Sequence, residues 1–145
     1  MKLYTIGFAK KSAETFFELL RQHGVQRLVD IRLNPNGQLS GFARQNDLPY
    51  LLANLAKCEY VYAPELAPTK EILADYRKDS DWQQYVTRFE ALMDARRIPE
   101  TLNRTDFENS ISCLLCSEPT PEQCHRRLVA ERLARAWPDV EIIHL

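Results

Sequence analysis

Short apolar runs alternate along this chain with longer segments whose apolar residues recur every three or four positions. The short runs are rich in β-branched and aromatic residues and predict strands at 2–8, 27–32, 59–63, 110–116 and 140–144. The longer segments predict helices between Ser12 and Gly24 and at 47–55, 69–78, 80–97 and 121–137. The run at 110–116 is apolar at nearly every position, which is typical of a strand buried on both faces of a parallel sheet.

This order of strands and helices predicts an α/β fold with a single domain over residues 1–145. We expect a three-layer sandwich, in which helices cover both faces of a mostly parallel five-stranded sheet. Sheets of this kind bind ligands beyond the carboxyl ends of their strands. The segments that follow the first, second and fourth strands, at 8–12, 30–32 and 116–126, are therefore the candidates for a functional site.

Charge and composition narrow the possible functions. The chain has nineteen basic and twenty acidic residues. Its net charge of −1 does not indicate a protein that coats nucleic acid, but it does not exclude a local basic pocket. No apolar run approaches the ~18 residues that span a bilayer, and the N-terminal apolar stretch is too short for a secretory signal. We expect a cytoplasmic protein without a membrane partner, whose four cysteines stay reduced. We assign no cofactor.

The segment 116–127 carries most of the candidate chemistry. Its residues Thr120 to Gln123 form a helix-start motif, with Thr120 as cap and Pro121 in the first turn. The following Cys124, His125 and Arg126 then lie near the positive end of the helix dipole, where an anion or a thiolate is favoured.

Helix geometry separates these side chains. Arg126 precedes Leu133 by seven residues and shares its buried stripe, so its guanidinium is expected over the carboxyl edge of the sheet. Cys124 falls on the opposite side of the same helix. A direct contact between Cys116 and Cys124 therefore requires the helix to start late. The same count disfavours a metal site built from Cys116, Cys124 and His125.

Cys116 differs from the other thiols because it ends the fourth predicted strand. We take Cys116, Glu118 and His125 as candidate catalytic residues: a nucleophile and two acid/base groups. A packed thiol at Cys116 and a solvated surface carboxylate at Glu118 remain open alternatives. The pair Cys113-x-x-Cys116 is unsuited to a metal because three residues of strand separate the α-carbons by ~10 Å. Cys58 and Cys113 are expected to be small buried apolar residues.

Asp30 and Arg32 lie two residues apart on one face of the second predicted strand. They form either a structural ion pair or a ligand site in which the carboxylate orients a guanidinium towards an anion. The candidate ligand-binding residues are Asp30, Arg32, Cys124 and Arg126, and a small anionic or phosphorylated molecule is their expected ligand. The aromatic residues Trp82, Tyr85 and Phe89 are expected in the core.

The spacing Cys116-x-Glu118-x5-Cys124-His125-Arg126 resembles the signature of the bacterial family known as Domain of Unknown Function 488. Three further segments are similar to motifs of that family: Tyr4–Gly7, Val29–Arg32 with Pro35, and Tyr62–Leu66. The chain departs from the family pattern at Phe8-Ala9, where His-Ser is common, and at Leu66-Ala67-Pro68, where Leu-Gly-Gly is frequent. The resemblance implies a fold and a set of motif positions, but not an established reaction.

Three classes of function follow from these residues. The first is an anion-binding, catalytic pocket in which arginines hold the ligand and Cys116 reacts with it. The second is a rhodanese-like thiol or sulfur-transfer protein, although the proline-rich stretch after Cys116 is longer than the usual cysteine loop of that group. The third is a nucleic-acid accessory module without chemistry, which uses a local arginine patch.

Overall fold

A computed structural model describes the whole chain, residues 1–145. Its five strands form one sheet in the order β3–β2–β4–β1–β5, and every neighbouring pair is parallel. The strands are β1 (Lys2–Gly7), β2 (Arg27–Asp30), β3 (Glu59–Tyr62), β4 (Ser112–Cys116) and β5 (Glu141–His144). The five strands and their parallel arrangement confirm the predicted sheet.

Six α-helices cover this sheet. They are α1 (Ala13–Gln22), α2 (Leu48–Leu55), α3 (Lys70–Asp79), α4 (Trp82–Ala95), α5 (Arg104–Asn109) and α6 (His125–Ala136). On one face, α1 and α2 contribute Phe16, Leu20 and Leu52 to one apolar cluster. On the other face, α3 to α6 build a second cluster around residues such as Phe89 and Leu133. The structure is therefore a three-layer α/β sandwich. None of its helices combines the length and the hydropathy that crossing a bilayer requires.

The central strand β4 brings three strand ends together. All five of its residues are buried, because β1 and β2 flank it and helices cover both of its faces. In the strand register, Gly7 lies opposite Cys116 and Asp30 lies opposite Leu115. The carboxyl ends of β1, β2 and β4 therefore meet at one edge. The chain passes from β1 to β2 before it inserts β4 between them, which opens a crevice at this edge.

The start of α6 differs from the prediction. The helix begins at His125 rather than at Pro121, because Cys124 has the extended backbone of an N-cap residue, with φ −137° and ψ 139°. Residues 117–124 form turns instead, and the Cys124 amide donates to the carbonyl of Pro121 at 3.3 Å. The helix-start interpretation of Thr120 to Gln123 was therefore wrong. A buried bond from Arg126 to the Glu118 carbonyl draws this segment, the 117–124 loop, back over the strand end.

The short helix α5 was not predicted at all. It contains six residues, Arg104–Asn109, and its single buried side chain is that of Phe107. One apolar residue has no period, so the pattern of the sequence carries no information on this element.

Candidate functional site

A cavity of about 500 Å³ lies at the carboxyl edge of the sheet. We call it the carboxyl-edge cavity. Its wall comes from the segments after β1, β2 and β4 and from helices α3 and α4. Among the residues that line it are Phe8, Arg32, Ser40, Tyr76, Trp82, Tyr85, Cys116, Glu118, Cys124 and His125. Five of the seven predicted site residues therefore surround one space, and Asp30 and Arg126 lie outside its wall.

Cys116 and His125 are in direct contact at this cavity. The Sγ atom of Cys116, the last residue of β4, lies 3.5 Å from the Nδ1 atom of His125, the first residue of α6. The Nε2 atom of His125 lies 2.7 Å from the carbonyl oxygen of Ile31. Since a carbonyl only accepts, Nε2 carries a hydrogen, and Nδ1 is the nitrogen that exchanges a proton with Cys116. The ring of Phe89 packs edge-on against the imidazole at 5.7 Å and fixes its orientation.

Cys124 also lies beside Cys116. The two sulfur atoms and the His125 ring nitrogen are all within 4.8 Å of one another. The reason is the late start of α6, since an extended Cys124 does not follow the angular spacing of the helix. The late start is the condition that this contact required. Helix spacing therefore no longer argues against a disulfide between the two cysteines, or against one metal ion shared by Cys116, Cys124 and His125.

The charges in this cluster favour a thiolate at Cys116. A hydrogen bond from the Cys124 thiol holds the pKa of Cys116 well below its ordinary value, and His125 and the backbone N–H of Glu118 act in the same direction against burial. Burial and the neighbouring Cys116 raise the pKa of Cys124 well above its ordinary value. Burial disfavours a charged His125, but the Cys116 charge and the Ile31 carbonyl outweigh it and raise the imidazole pKa. These directions favour a thiolate at Cys116 and an imidazolium at His125, beside a protonated Cys124.

The other two cysteines lack these partners. Cys58 and Cys113 are buried in the apolar cluster beneath α1 and α2, as predicted. Burial raises the pKa of Cys58 to about 12, and it raises that of Cys113 as well. Both thiols therefore stay protonated at neutral pH and provide internal controls for thiol chemistry.

Asp30 and Arg32 form a buried ion pair behind the cavity wall. The Nε and Nη2 atoms of Arg32 donate to the two Asp30 oxygens at 2.8 and 2.7 Å, and the Tyr60 hydroxyl donates to the same carboxylate at 2.6 Å. Asp30 thus holds a guanidinium that lines the cavity, while its own carboxylate does not reach it. The Nη1 atom of Arg32 makes no hydrogen bond within the protein, and the ring of Phe8 lies 5.3 Å from the guanidinium carbon.

Arg126 is fully buried and does not line the cavity. Its Nε donates to the Thr5 hydroxyl at 3.2 Å, and its Nη1 donates to the Glu118 carbonyl at 2.5 Å. The same Nη1 lies 3.9 Å from the Cys124 sulfur. The structure therefore places Arg126 beneath the 117–124 loop, where it fastens the loop to β1. The guanidinium lies at the expected edge of the sheet, close to Gly7 at the carboxyl end of β1, but the loop covers it and it does not emerge into the cavity.

Gly7 has a positional role that the sequence analysis did not assign. A Cβ atom at this position would lie 1.6 Å from the Glu118 carbonyl oxygen and 2.7 Å from Arg126 Nη1. Only glycine permits this approach of the loop to β1. The sole sequence indication was the position of Gly7 at the end of a strand.

Glu118 and three aromatic residues complete the carboxyl-edge cavity. The Glu118 side chain is exposed at its mouth. Tyr85 is buried as expected, but it also lines the cavity, and its ring stacks on that of Trp82 with the centroids 5.0 Å apart. The Tyr76 hydroxyl donates a hydrogen bond to Gln123 at 3.1 Å. The helical spacing of Trp82 and Tyr85 correctly predicts an inward face. The same spacing does not reveal that the first turn of α4 reaches past the core and forms part of the cavity wall.

Comparison with protein families assigns the chain to one of them. The family model described as domain of unknown function DUF488 matches residues 12–133. The chain belongs to the DUF488 family. The matched range of this DUF488 protein includes Asp30, Arg32 and the entire 116–126 segment, whereas β1 and Gly7 precede it. No curated protein and no solved structure matches the chain.

Proposed function

We propose that this DUF488 protein is an enzyme in which the Cys116 thiolate attacks a small anionic substrate bound in the carboxyl-edge cavity. One observation carries the proposal: Cys116 Sγ lies 3.5 Å from His125 Nδ1 on the wall of a cavity that Arg32 also lines. A thiolate with a lowered pKa, placed at the end of a buried parallel strand, has the features of an activated nucleophile.

His125 and Cys124 serve the thiolate in different ways. The imidazolium of His125 holds a proton on Nδ1, which faces the reacting sulfur. When Cys116 forms a bond to the substrate, the bond to the leaving group breaks with its electron pair, and this proton passes to the leaving group. The Cys124 thiol stabilises the attacking sulfur before the reaction. Glu118, at the mouth of the cavity, acts as a second acid/base group for the release step.

The anionic part of the substrate binds to Arg32. Its Nε and Nη2 are held by Asp30 and leave one guanidinium nitrogen, Nη1, without a protein partner. Phosphate or another oxyanion matches such a donor, and the nearby start of α6 adds the positive end of a helix dipole. Arg126 acts as a positioning residue, because it holds the 117–124 loop and is not on the cavity wall.

Two alkylating reagents of similar size test this proposal. Iodoacetate is anionic and iodoacetamide is neutral, so the ratio of their rates at Cys116 reports the attraction of the cavity for an anion. We expect a ratio several-fold above that of a free small thiol. The double variant Asp30→Asn/Arg32→Gln, which removes the charged pair without leaving an unpaired carboxylate, should lower the ratio to the free-thiol value.

A matched arginine provides the control. Arg27 also belongs to β2 but lies at its amino end, where it donates to Ser112 rather than to the cavity. Arg27→Gln should keep the high ratio. Equal ratios in the wild type and in a free thiol, or an unchanged ratio in the double variant, would contradict the assignment of Arg32.

Sulfur transfer of the rhodanese type is the second candidate. One observation favours it: the backbone N–H of Glu118 helps to lower the pKa of Cys116, and it can equally stabilise a persulfide on the same sulfur. In this reaction Cys116 takes the outer sulfur of thiosulfate and releases sulfite, and cyanide then removes the sulfur as thiocyanate. Thiocyanate production no faster than that of Cys116→Ser rules this candidate out. The nucleic-acid alternative gains no support, since Arg32 and Arg126 are both buried.

A further inference from the structure

Two free thiols share the wall of the carboxyl-edge cavity, and the proposed function makes only one of them react. Cys116 ends β4 and Cys124 precedes the first turn of α6. Both side chains line the cavity, neither is in a disulfide, and their sulfur atoms lie within 4.8 Å of each other. Cys113 is three residues before Cys116 on the same strand and packs in the apolar cluster under α1, so it is not a partner.

We propose that Cys116 and Cys124 form a redox-active dithiol that reduces small anionic disulfides and ends the reaction as an intramolecular disulfide. This proposal rests on the proposed function, in which Cys116 is the nucleophile, and it names the substrate class. The second thiol distinguishes this reaction from a simple covalent transfer, because it releases the group that Cys116 has bound.

The backbone at Cys124 permits the bond. A disulfide requires the two sulfur atoms, which lie within 4.8 Å of each other, to approach to about 2 Å. Cys124 is extended and outside the helix, and the turns of the 117–124 loop connect it to Cys116. The sulfurs therefore meet without unwinding of α6.

The charges around Cys124 set the order of the two steps. In the free enzyme, burial and the bond to Cys116 keep Cys124 protonated. Once Cys116 is bound to a substrate sulfur, its negative charge is gone. The backbone N–H of Arg126 and the Arg126 guanidinium, 3.9 Å from the Cys124 sulfur, remain and favour a thiolate there. Cys124 thus becomes a nucleophile only after Cys116 has reacted.

Each step balances without an external oxidant. The Cys116 thiolate attacks one sulfur of the substrate, the S–S bond breaks, and one substrate thiolate leaves and takes the His125 proton. The Cys124 thiol then gives its proton to His125, which the first step left neutral, and attacks Cys116 Sγ; the mixed disulfide breaks and the second substrate thiolate leaves. The two thiols of the protein are oxidised to one disulfide, and the substrate disulfide is reduced to two thiols.

The surroundings of the two sulfurs select the substrate. Cys116 is only 6% exposed and is reached through a cavity of about 500 Å³, which suits a small molecule rather than a protein disulfide. Arg32 provides a positive group for a carboxylate or a similar anion on the substrate. The aromatic side chains of Tyr76, Trp82 and Tyr85 suit an apolar or aromatic portion.

The test uses the full chain and dithiobis(nitrobenzoate), an anionic aromatic disulfide that releases a coloured thiol. The fully reduced wild-type protein should release two thiols per chain and lose only the mass of two hydrogen atoms. Cys124→Ser should release one thiol and keep one nitrobenzoate adduct on Cys116, and Cys116→Ser should release none on the same time scale. Cys113→Ala, which removes a buried thiol from the same strand, should behave like the wild type.

The outcomes separate this proposal from the proposed function. A wild-type protein that keeps a stable adduct on Cys116 overturns the dithiol and leaves Cys116 as the nucleophile, whereas an inert Cys116 overturns both. Peptide mapping of the treated wild type, which needs no variant to fold, must show Cys116 linked to Cys124. Stoichiometric zinc that blocks the reaction until a chelator removes it would replace the dithiol with a metal site.

Discussion

The Nε2 atom of His125 lies 2.7 Å from the carbonyl oxygen of Ile31, and this bond determines that Nδ1 faces Cys116. The carbonyl belongs to the residue after β2, and the imidazole belongs to the first residue of α6. The end of β2 and the start of α6 therefore together orient the imidazole that activates Cys116 at the end of β4. The chemistry of Cys116 depends on this packing, not on Cys116 alone.

His125→Gln should raise the pKa of Cys116. Glutamine can still donate to the Ile31 carbonyl, but it removes the positive charge and the ring nitrogen beside the sulfur. Alkylation of Cys116 by iodoacetamide at pH 7 should slow by about tenfold for each unit by which the pKa rises above 7. Rates measured by mass spectrometry in both proteins check this. A variant as fast as the wild type would show that His125 does not stabilise the thiolate.

The free energy of unfolding should depend on pH through the same pair. The pKa of Cys116 is lowered in the folded state. Its contribution to the free energy of unfolding is therefore fully present above the pKa of the unfolded chain and is lost as pH falls through the folded pKa. The folded-state pKa of His125 is raised, so its contribution is present below the unfolded value and is lost as pH rises through the folded pKa. The stability difference between the wild type and Cys116→Ala in urea should peak between these two folded pKa values. A difference independent of pH would exclude the ion pair.

Gly7→Ala should displace the 117–124 loop. The new methyl group would collide with the Glu118 carbonyl, at 1.6 Å, and crowd the guanidinium of Arg126. We expect a loss of stability of about 1–3 kcal/mol, as for other overpacked sites, together with slower alkylation of Cys116. Gly37→Ala is the control, since a Cβ there would come no closer than 3.4 Å to its neighbours. Equal stability of the two variants in urea would argue against the close approach.

Arg126→Ala should destabilise the protein instead of only weakening a ligand. The substitution empties a fully buried site and removes the donor to the Glu118 carbonyl, while the Thr5 hydroxyl keeps its bond to His144. Unsatisfied buried acceptors cost about 1–3 kcal/mol each. Arg135→Ala, at an exposed position of the same helix, should change the unfolding free energy by less than about 1 kcal/mol. A stable Arg126→Ala protein would show that the loop does not depend on this residue.

The pattern of the sequence predicts the sheet because its strands are short, apolar and separated by periodic helices. It also predicts that 30–32 and 116–126 meet, since parallel strands end at one edge. The start of α6 was not predictable from the same pattern. The local motif at Thr120 to Gln123 competes with a long-range bond between Arg126 and the Glu118 carbonyl, and the long-range bond prevails. The contact between Cys116 and Cys124 follows from that displacement, so it too was absent from the prediction.

The pH profile of Cys116 alkylation tests the central claim most directly. Iodoacetamide labelling of the wild-type protein, followed residue by residue, reports the fraction of each thiol that is ionised. We predict that Cys116 reaches its full rate well below pH 8.5, while Cys58 and Cys113 stay unlabelled in the folded protein. A Cys116 that is inert, or that titrates at or above the value of an ordinary thiol, would contradict the account.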